Sequence, residues 1–221
     1  MPVSSEYNTS GDILVDGNPI EYVEEFCYLG SIIQHNSSCD ADIGKANSVF
    51  ARLNRIWKDR KLSLQIKMRL YESLILPTLL YSAETWNMTV VNRKKLEAAH
   101  HKWLRKILRI SCVDRVTNEE VRWRTGQESL KTIIRRRRLR WFGHMHRMST
   151  SRLAHQALDW TPPEFRKKPG RPGRSWKSTI KEDLTLLGLT WDEAKEEVED
   201  REEWRCRVAR CATRARGRTK V

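Results

Sequence analysis

The sequence predicts an α+β protein that is mainly α-helical, with a small antiparallel β element at the N-terminus. The β-rich runs of the chain lie within residues 12–33. From Asp40 onward, apolar residues recur every three or four positions, which is the period of a helix. A chain of 221 residues with 39% hydrophobic residues is long enough to bury one large core or two small ones.

The N-terminal β element is predicted from three short runs. Turn-prone residues 16–18 (Asp-Gly-Asn) separate the runs 12–15 and 19–23, which is typical of a hairpin. Residues 26–33 are rich in aromatic and β-branched residues and predict a third strand. A three-stranded sheet has little stability alone, so we expect it to pack on helices or on a larger sheet.

Helical periodicity extends over most of the remaining chain. The apolar residues of the 63–86 segment surround its axis on most sides, so we expect this helix to be buried and to be kinked at Pro77. The last helix is acidic at its start and basic at its end, an order that favours the helix dipole. The predicted helices are residues 40–58, 63–86, 92–109, 118–123, 131–148, 151–158, 176–187 and 191–214.

Charge is distributed unevenly along the chain. Residues 1–50 carry one basic residue and eight acids, whereas residues 51–221 carry 41 basic residues and 20 acids, giving net charges of −7 and +21. This asymmetry predicts a polyanionic partner for the basic part. Nucleic acid fits better than an anionic membrane surface, because the aromatic and basic residues are spread over several helices and form no single amphipathic anchor.

Residues 131–148 form the most basic stretch, with seven Lys or Arg and no acid. On a helix, Leu130, Ile134, Trp141, Met145 and Met148 would fall within about 60° of one another. A separate row would hold Arg136, Arg140 and Arg147. One face would then dock on a core while the other contacts phosphate, although a solvated cationic face is the alternative.

Residues 161–175 break the helical pattern with four prolines and two glycines and predict a linker. Within it, the sequence KKPGRPGR at 167–174 suits a narrow A·T minor groove, where only a slim cationic backbone fits. A plain basic linker is the alternative. Either interpretation attracts nucleic acid.

Other kinds of site find little support. The five cysteines have irregular spacing, and no zinc-ligand order, nucleophile motif or glycine-rich phosphate loop occurs. Asp12 and Asp16 border a turn, which explains both of them. Several tryptophans lie near Arg or Lys and could stack on unpaired bases, but we expect Trp57, Trp103 and Trp141 to be buried.

Six blocks of residues occur in order within residues 12–210. They are FCYLGS at 26–31, RIWK at 55–58, LLY at 79–81 with ETW at 84–86, RLRWFGH at 138–144, GRP at 170–172 before Trp176, and DR at 200–201 before WR at 204–205. Together they resemble the C-terminal part of LINE-type (non-LTR) retrotransposon reverse transcriptases, and more closely the endonuclease–reverse transcriptase polyproteins of animal genomes.

The resemblance implies that the chain corresponds to the end of the palm, the thumb and the basic C-terminal region of a larger enzyme. The FxYLG turn of such enzymes is the primer grip, which here falls on Phe26, Tyr28, Leu29 and Gly30. The helices that follow would hold the template–primer duplex. The implied domains are a primer-grip-like element at 1–36, a helical thumb-like domain at 37–126, a basic helical region at 127–160, a linker at 161–175 and a C-terminal helical segment at 176–221.

The sequence also departs from that family. The catalytic palm of the family carries paired aspartates in a Tyr/Phe-Ala-Asp-Asp turn that binds Mg²⁺, and this chain contains no such turn. The Cys-Cys-His-Cys knuckle of many such elements is missing as well. We therefore expect no catalytic residue, no cofactor and no polymerase activity from this chain alone, although the parent enzyme would use Mg²⁺.

The expected function is binding of RNA, DNA or an RNA–DNA hybrid in the nucleus or cytoplasm, without membrane association or secretion. A domesticated module that binds protein partners is the alternative. The sequence does not determine the oligomeric state. The predicted nucleic-acid contacts are Arg135, Arg136, Arg138, Arg140, Arg147, Lys167, Lys168, Arg171 and Arg174.

Overall fold

The structure is a computed structural model that describes residues 14–16, 18–19, 21, 23–34, 38–159 and 175–216, and it confirms the predicted α+β class. The chain divides into two compact units. The first unit comprises Met1–Ser82 and Met88–Val116, and the second comprises Ala83–Asn87 and Thr117–Val221.

The first unit begins with two antiparallel hairpins. Strand β1 (Leu14–Val15) pairs with β2 (Asn18–Pro19), and β3 (Glu25–Tyr28) pairs with β4 (Ser31–Gln34). The predicted single strand at 26–33 is therefore wrong, because the chain folds back on itself at Leu29 and Gly30. These residues have φ values of +48° and +81°, the left-handed pair that a two-residue hairpin turn requires.

The helices of the first unit follow the prediction with two interruptions. The predicted 40–58 helix is broken at Leu53, and the predicted 63–86 helix ends at Leu79. A π-helical turn at Tyr71–Ile75 precedes Pro77, which cannot donate a backbone hydrogen bond. The helices are α1 (Asp40–Arg52), α2 (Asn54–Lys58), α3 (Leu64–Leu70), α4 (Leu76–Leu79) and α5 (Val90–Leu108), followed by a 3₁₀ turn at Cys112–Asp114.

Aromatic rings fill the core between α1, α2 and α5. The ring of Phe50 stacks on Trp57 and Trp103, with centroid distances of 5.0 and 5.8 Å. Burial of Trp57 and Trp103 is thus confirmed. By contrast, Leu64, Ile66 and Leu74 are exposed, so the expectation that the α3–α4 segment would be buried on most sides is wrong.

The second unit is helical. Serine or threonine side chains cap the helices Leu130–His146 (α7), Trp176–Thr185 (α9) and Trp191–Glu197 (α10) by accepting a backbone N–H of the first turn. The predicted helix at 191–214 is two helices, because the carboxylate of Asp200 accepts the N–H groups of Glu202 and Glu203 and so begins a new one. The helices are α6 (Asn118–Thr125), α7 (Leu130–His146), α8 (Leu153–Asp159), α9 (Trp176–Thr185), α10 (Trp191–Glu197) and α11 (Arg201–Arg216).

The core of the second unit forms where α7 packs on α9 and α11. Its buried residues are Leu139, Phe142, Ile180, Leu184, Leu189, Ala194, Val198, Trp204 and Val208. Within the ranges that the structure describes, no helix combines the length and the apolar character needed to cross a membrane.

Candidate nucleic-acid interface

Two of the predicted phosphate contacts on α7 are paired with a buried carboxylate, that of Asp183. Arg138 is buried, and its Nε and Nη2 donate to Oδ2 of Asp183 at 2.8 and 2.6 Å. Arg135 donates from Nε to Oδ1 of the same carboxylate at 3.1 Å. Asp183 is itself buried, so this ion triad joins α7 to α9. Arg135 and Arg138 are therefore committed to an internal partner and are poorly placed to contact phosphate.

The neighbouring arginines also have acidic partners. Nη1 of Arg136 lies 2.8 Å from Oε2 of Glu128, and both side chains are partly buried. Arg137 points toward the apolar side of α7, where an acid or an exposed route for the guanidinium is expected. Burial lowers the pKa of Arg137, and the negative charge of Glu84 opposes that shift. Glu84 and Arg137 line the same pocket, so a carboxylate lies near this guanidinium.

Four other arginines surround a single cleft of about 500 Å³ between α7 and α11, which we call the arginine cleft. Arg140 and Arg147 belong to the predicted contact row on α7. Arg201 and Arg205 come from α11 and were not predicted. The described residues that line the cleft are Arg140, His144, Arg147, Arg201, Trp204 and Arg205.

The floor of the cleft depends on Gly143. A Cβ atom at this position would lie 2.5 Å from Nε1 and 2.6 Å from Cδ1 of Trp204, so only glycine admits the indole against α7. The Nε1 of Trp204 donates to the carbonyl oxygen of Leu139 at 3.0 Å. Nη1 of Arg147 donates to the carbonyl oxygen of Val198 at 2.6 Å, which fixes this side chain at the edge of the cleft.

The positions of Arg201 and Arg205 follow from the start of α11. Asp200 caps the helix, and residues four positions apart then share one face. Arg205 also lies 3.5 Å from Glu202, but both side chains are more than two thirds exposed. An exposed pair of this kind contributes little, so it does not commit Arg205 to Glu202. In the sequence, the four-residue spacing of Arg201 and Arg205 is the signal that could have placed both arginines on one helix face.

Four positively charged side chains line the arginine cleft. None of the described residues that line it is acidic. Guanidinium groups that converge on one cleft repel one another, and a bound anion with several charges relieves that repulsion. Guanidinium groups also match the geometry of phosphate oxygens. The arrangement can therefore hold a phosphate-bearing backbone.

A protein of Caenorhabditis elegans described as transposon-derived is 22% identical over 207 residues, which are 88% of this chain and 73% of the relative. This chain is similar to a transposon-derived protein. No protein-family model matches the chain, and no solved structure matches it. The similarity spans both units and supports a transposon origin.

Other predicted site residues of this transposon-related chain lie elsewhere. Phe26, Tyr28, Leu29 and Gly30 belong to the β3–β4 hairpin, whose tip is solvent-exposed, with Tyr28 57% and Leu29 76% accessible. The hydroxyl of Tyr81 donates to the carbonyl oxygen of Leu29 at 2.8 Å and holds the turn. The role of the β3–β4 hairpin as a primer grip stays a prediction.

Four predicted residues lie outside the described ranges, and one tryptophan is more exposed than predicted. Lys167, Lys168, Arg171 and Arg174 lie outside the described residues. Trp141 is only partly buried, unlike Trp57 and Trp103, so its predicted burial is wrong. Across the residues that the structure covers, no group of three or more His, Cys, Asp or Glu is arranged to hold a metal ion.

Proposed function

We propose that this chain binds nucleic acid through the arginine cleft, and that it derives from the C-terminal part of a LINE-type reverse transcriptase. The observation that carries the proposal is the convergence of Arg140, Arg147, Arg201 and Arg205 on one cleft without an acidic lining residue among those described. Binding would be directed mainly at the phosphate backbone and would favour no particular sequence.

The origin of the chain is supported by two separate observations. The transposon-derived relative covers 88% of the chain. The ordered blocks from FCYLGS at 26–31 to WR at 204–205 resemble the end of the palm and the regions beyond it in LINE-type enzymes. RNA, DNA and an RNA–DNA hybrid are the partners that such an origin implies.

We also propose that the chain has no polymerase activity by itself. Phosphoryl transfer by the two-metal mechanism needs carboxylates that hold Mg²⁺. The paired-aspartate turn that supplies them in reverse transcriptases does not occur in this sequence. In the proposed role, the chain binds a nucleic acid without acting on it chemically.

The test is fluorescence anisotropy with a labelled RNA–DNA hybrid at low salt. We expect the triple variant R140A/R201A/R205A to lose about tenfold in affinity, because each lost exposed ionic contact costs roughly 0.2–1 kcal/mol. The matched control R124A/R152A/K181A removes the same charge from exposed positions of the second unit that do not line the cleft. Equal losses in both variants would contradict the proposal.

The same binding assay, followed by a pull-down, distinguishes nucleic-acid binding from the alternative of a protein-binding module. A wild-type protein without affinity for any nucleic acid at low salt would refute nucleic-acid binding. In that case, pull-down partners that persist after nuclease treatment would favour the protein-binding module.

A further inference from the structure

A second pocket adjoins the arginine cleft in the second unit. It has a volume of about 360 Å³ and is lined by Glu84, Arg137, Arg140, Trp141 and His144. We call it the Trp141 pocket. Arg140 and His144 line both the pocket and the cleft, so a ligand in the cleft could extend into the pocket. The volume falls within the range of about 300–1,000 Å³ that is typical of small-molecule sites.

The pocket differs from the cleft in its aromatic wall. Trp141 remains partly exposed, although its neighbour Phe142 is fully buried in the core. The rings of Trp141 and His144 are tilted by 48° with centroids 5.4 Å apart. Tryptophan offers a large apolar face on which a planar base can stack. A partly exposed tryptophan beside a cationic cleft is therefore suited to an unpaired base.

Two polar residues, Glu84 and Arg137, line the pocket but not the cleft. Glu84 supplies a carboxylate and Arg137 a guanidinium, and these groups carry charges of opposite sign. The indole Nε1 of Trp176 donates to the backbone oxygen of Glu84 at 2.7 Å, which fixes the Glu84 segment beside α9. A carboxylate beside a guanidinium suits a neutral ring with donors and acceptors at its edge better than it suits a phosphate.

We propose that the Trp141 pocket accepts an unpaired nucleobase of a strand whose phosphates lie in the arginine cleft. The inference rests on the proposed function and specifies it further, because it makes single-stranded nucleic acid, or an unpaired end, the ligand class. A base inside a duplex is stacked and paired, so it cannot enter a side pocket without being extruded.

The test compares a short single-stranded DNA oligonucleotide with an otherwise identical oligonucleotide in which abasic residues replace the bases. Both carry the same phosphates. Base–aromatic stacking is worth about tenfold in affinity per base, so wild-type protein should bind the abasic strand roughly tenfold more weakly. This measurement needs no variant and does not depend on whether a substitution disturbs folding.

The variants Trp141→Ala and Trp141→Phe then locate the effect. W141A should lose about tenfold in affinity for the base-carrying strand and little for the abasic strand or a blunt duplex. W141F, which keeps an aromatic ring, should retain most of the affinity. A purely structural role of Trp141 would lower all three affinities together.

Two outcomes would overturn the inference. One is equal binding of base-carrying and abasic strands by wild-type protein, and the other is a W141A variant that weakens both strands equally. Neither outcome affects the proposed function, which fails separately if R140A/R201A/R205A binds as tightly as the matched control.

Discussion

Replacing Gly143 with alanine should disrupt the floor of the arginine cleft. The new Cβ would lie 2.5 Å from Nε1 of Trp204, which is far inside van der Waals contact, and Trp204 is 2% exposed with little room to move. Overpacking of this kind costs about 1–3 kcal/mol. Displacing the indole also breaks its hydrogen bond to the carbonyl oxygen of Leu139, which lowers the free energy of unfolding by about 1 kcal/mol more. Alanine recovers up to about 1 kcal/mol through its helix propensity.

The expected net loss in the free energy of unfolding is therefore about 2 kcal/mol. Urea titration measures it, and hydrogen exchange in α7 and α11 shows whether the loss lies in the second unit. Gly44→Ala is the matched control, because this exposed glycine of α1 has nothing within 4 Å of its Cβ position. That variant should be as stable as wild type or more stable. The reasoning is refuted if G143A behaves like G44A.

Two further predictions concern buried polar groups. Asp183→Asn should lower the free energy of unfolding by about 3 kcal/mol in urea titration, because it leaves the buried Arg138 and the partly buried Arg135 without a counter-charge. The exposed control E202Q should change the free energy of unfolding by less than about 0.5 kcal/mol. A similar loss in both variants would argue against the triad. Burial raises the pKa of the Tyr71 phenol, with the charge of Glu97 adding to the shift, so above pH of about 10 the unfolded chain releases a proton that the folded chain retains. Stability should fall as pH rises beyond that value, and Tyr71→Phe should flatten the fall; an unchanged slope in alkaline urea titrations would contradict it.

The predicted helices at residues 118–123, 131–148 and 176–187 begin within one residue of the observed α6, α7 and α9. The structure shows the local reason, because Thr117, Ser129 and Ser175 cap these helices. These features depend on residues within one or two turns, so they are readable without tertiary information. The burial of Trp57 and Trp103 likewise follows from their spacing with other apolar residues.

The errors arose where distant residues or backbone strain decide the outcome. In the β3–β4 turn, Leu29 has a φ of +48°. Leucine rarely adopts this left-handed conformation, so the sequence did not indicate a turn there. No acidic residue lies on the same helix as Arg138, and its partner Asp183 lies 45 positions away in the sequence. The arginine cleft likewise combines α7 with α11. Charge density on one helix could suggest phosphate binding but could not distinguish buried arginines from exposed ones.

The most direct test of nucleic-acid binding is the salt dependence of affinity for a single-stranded oligonucleotide. Each phosphate contact contributes about 0.7 to the slope of log Kobs against log salt on single strands, so R140A/R201A/R205A should lower the slope by about 2 relative to wild type. The control R124A/R152A/K181A should keep the wild-type slope. A wild-type affinity that does not change with salt, or equal slopes for wild type and the cleft variant, would contradict binding through the arginine cleft.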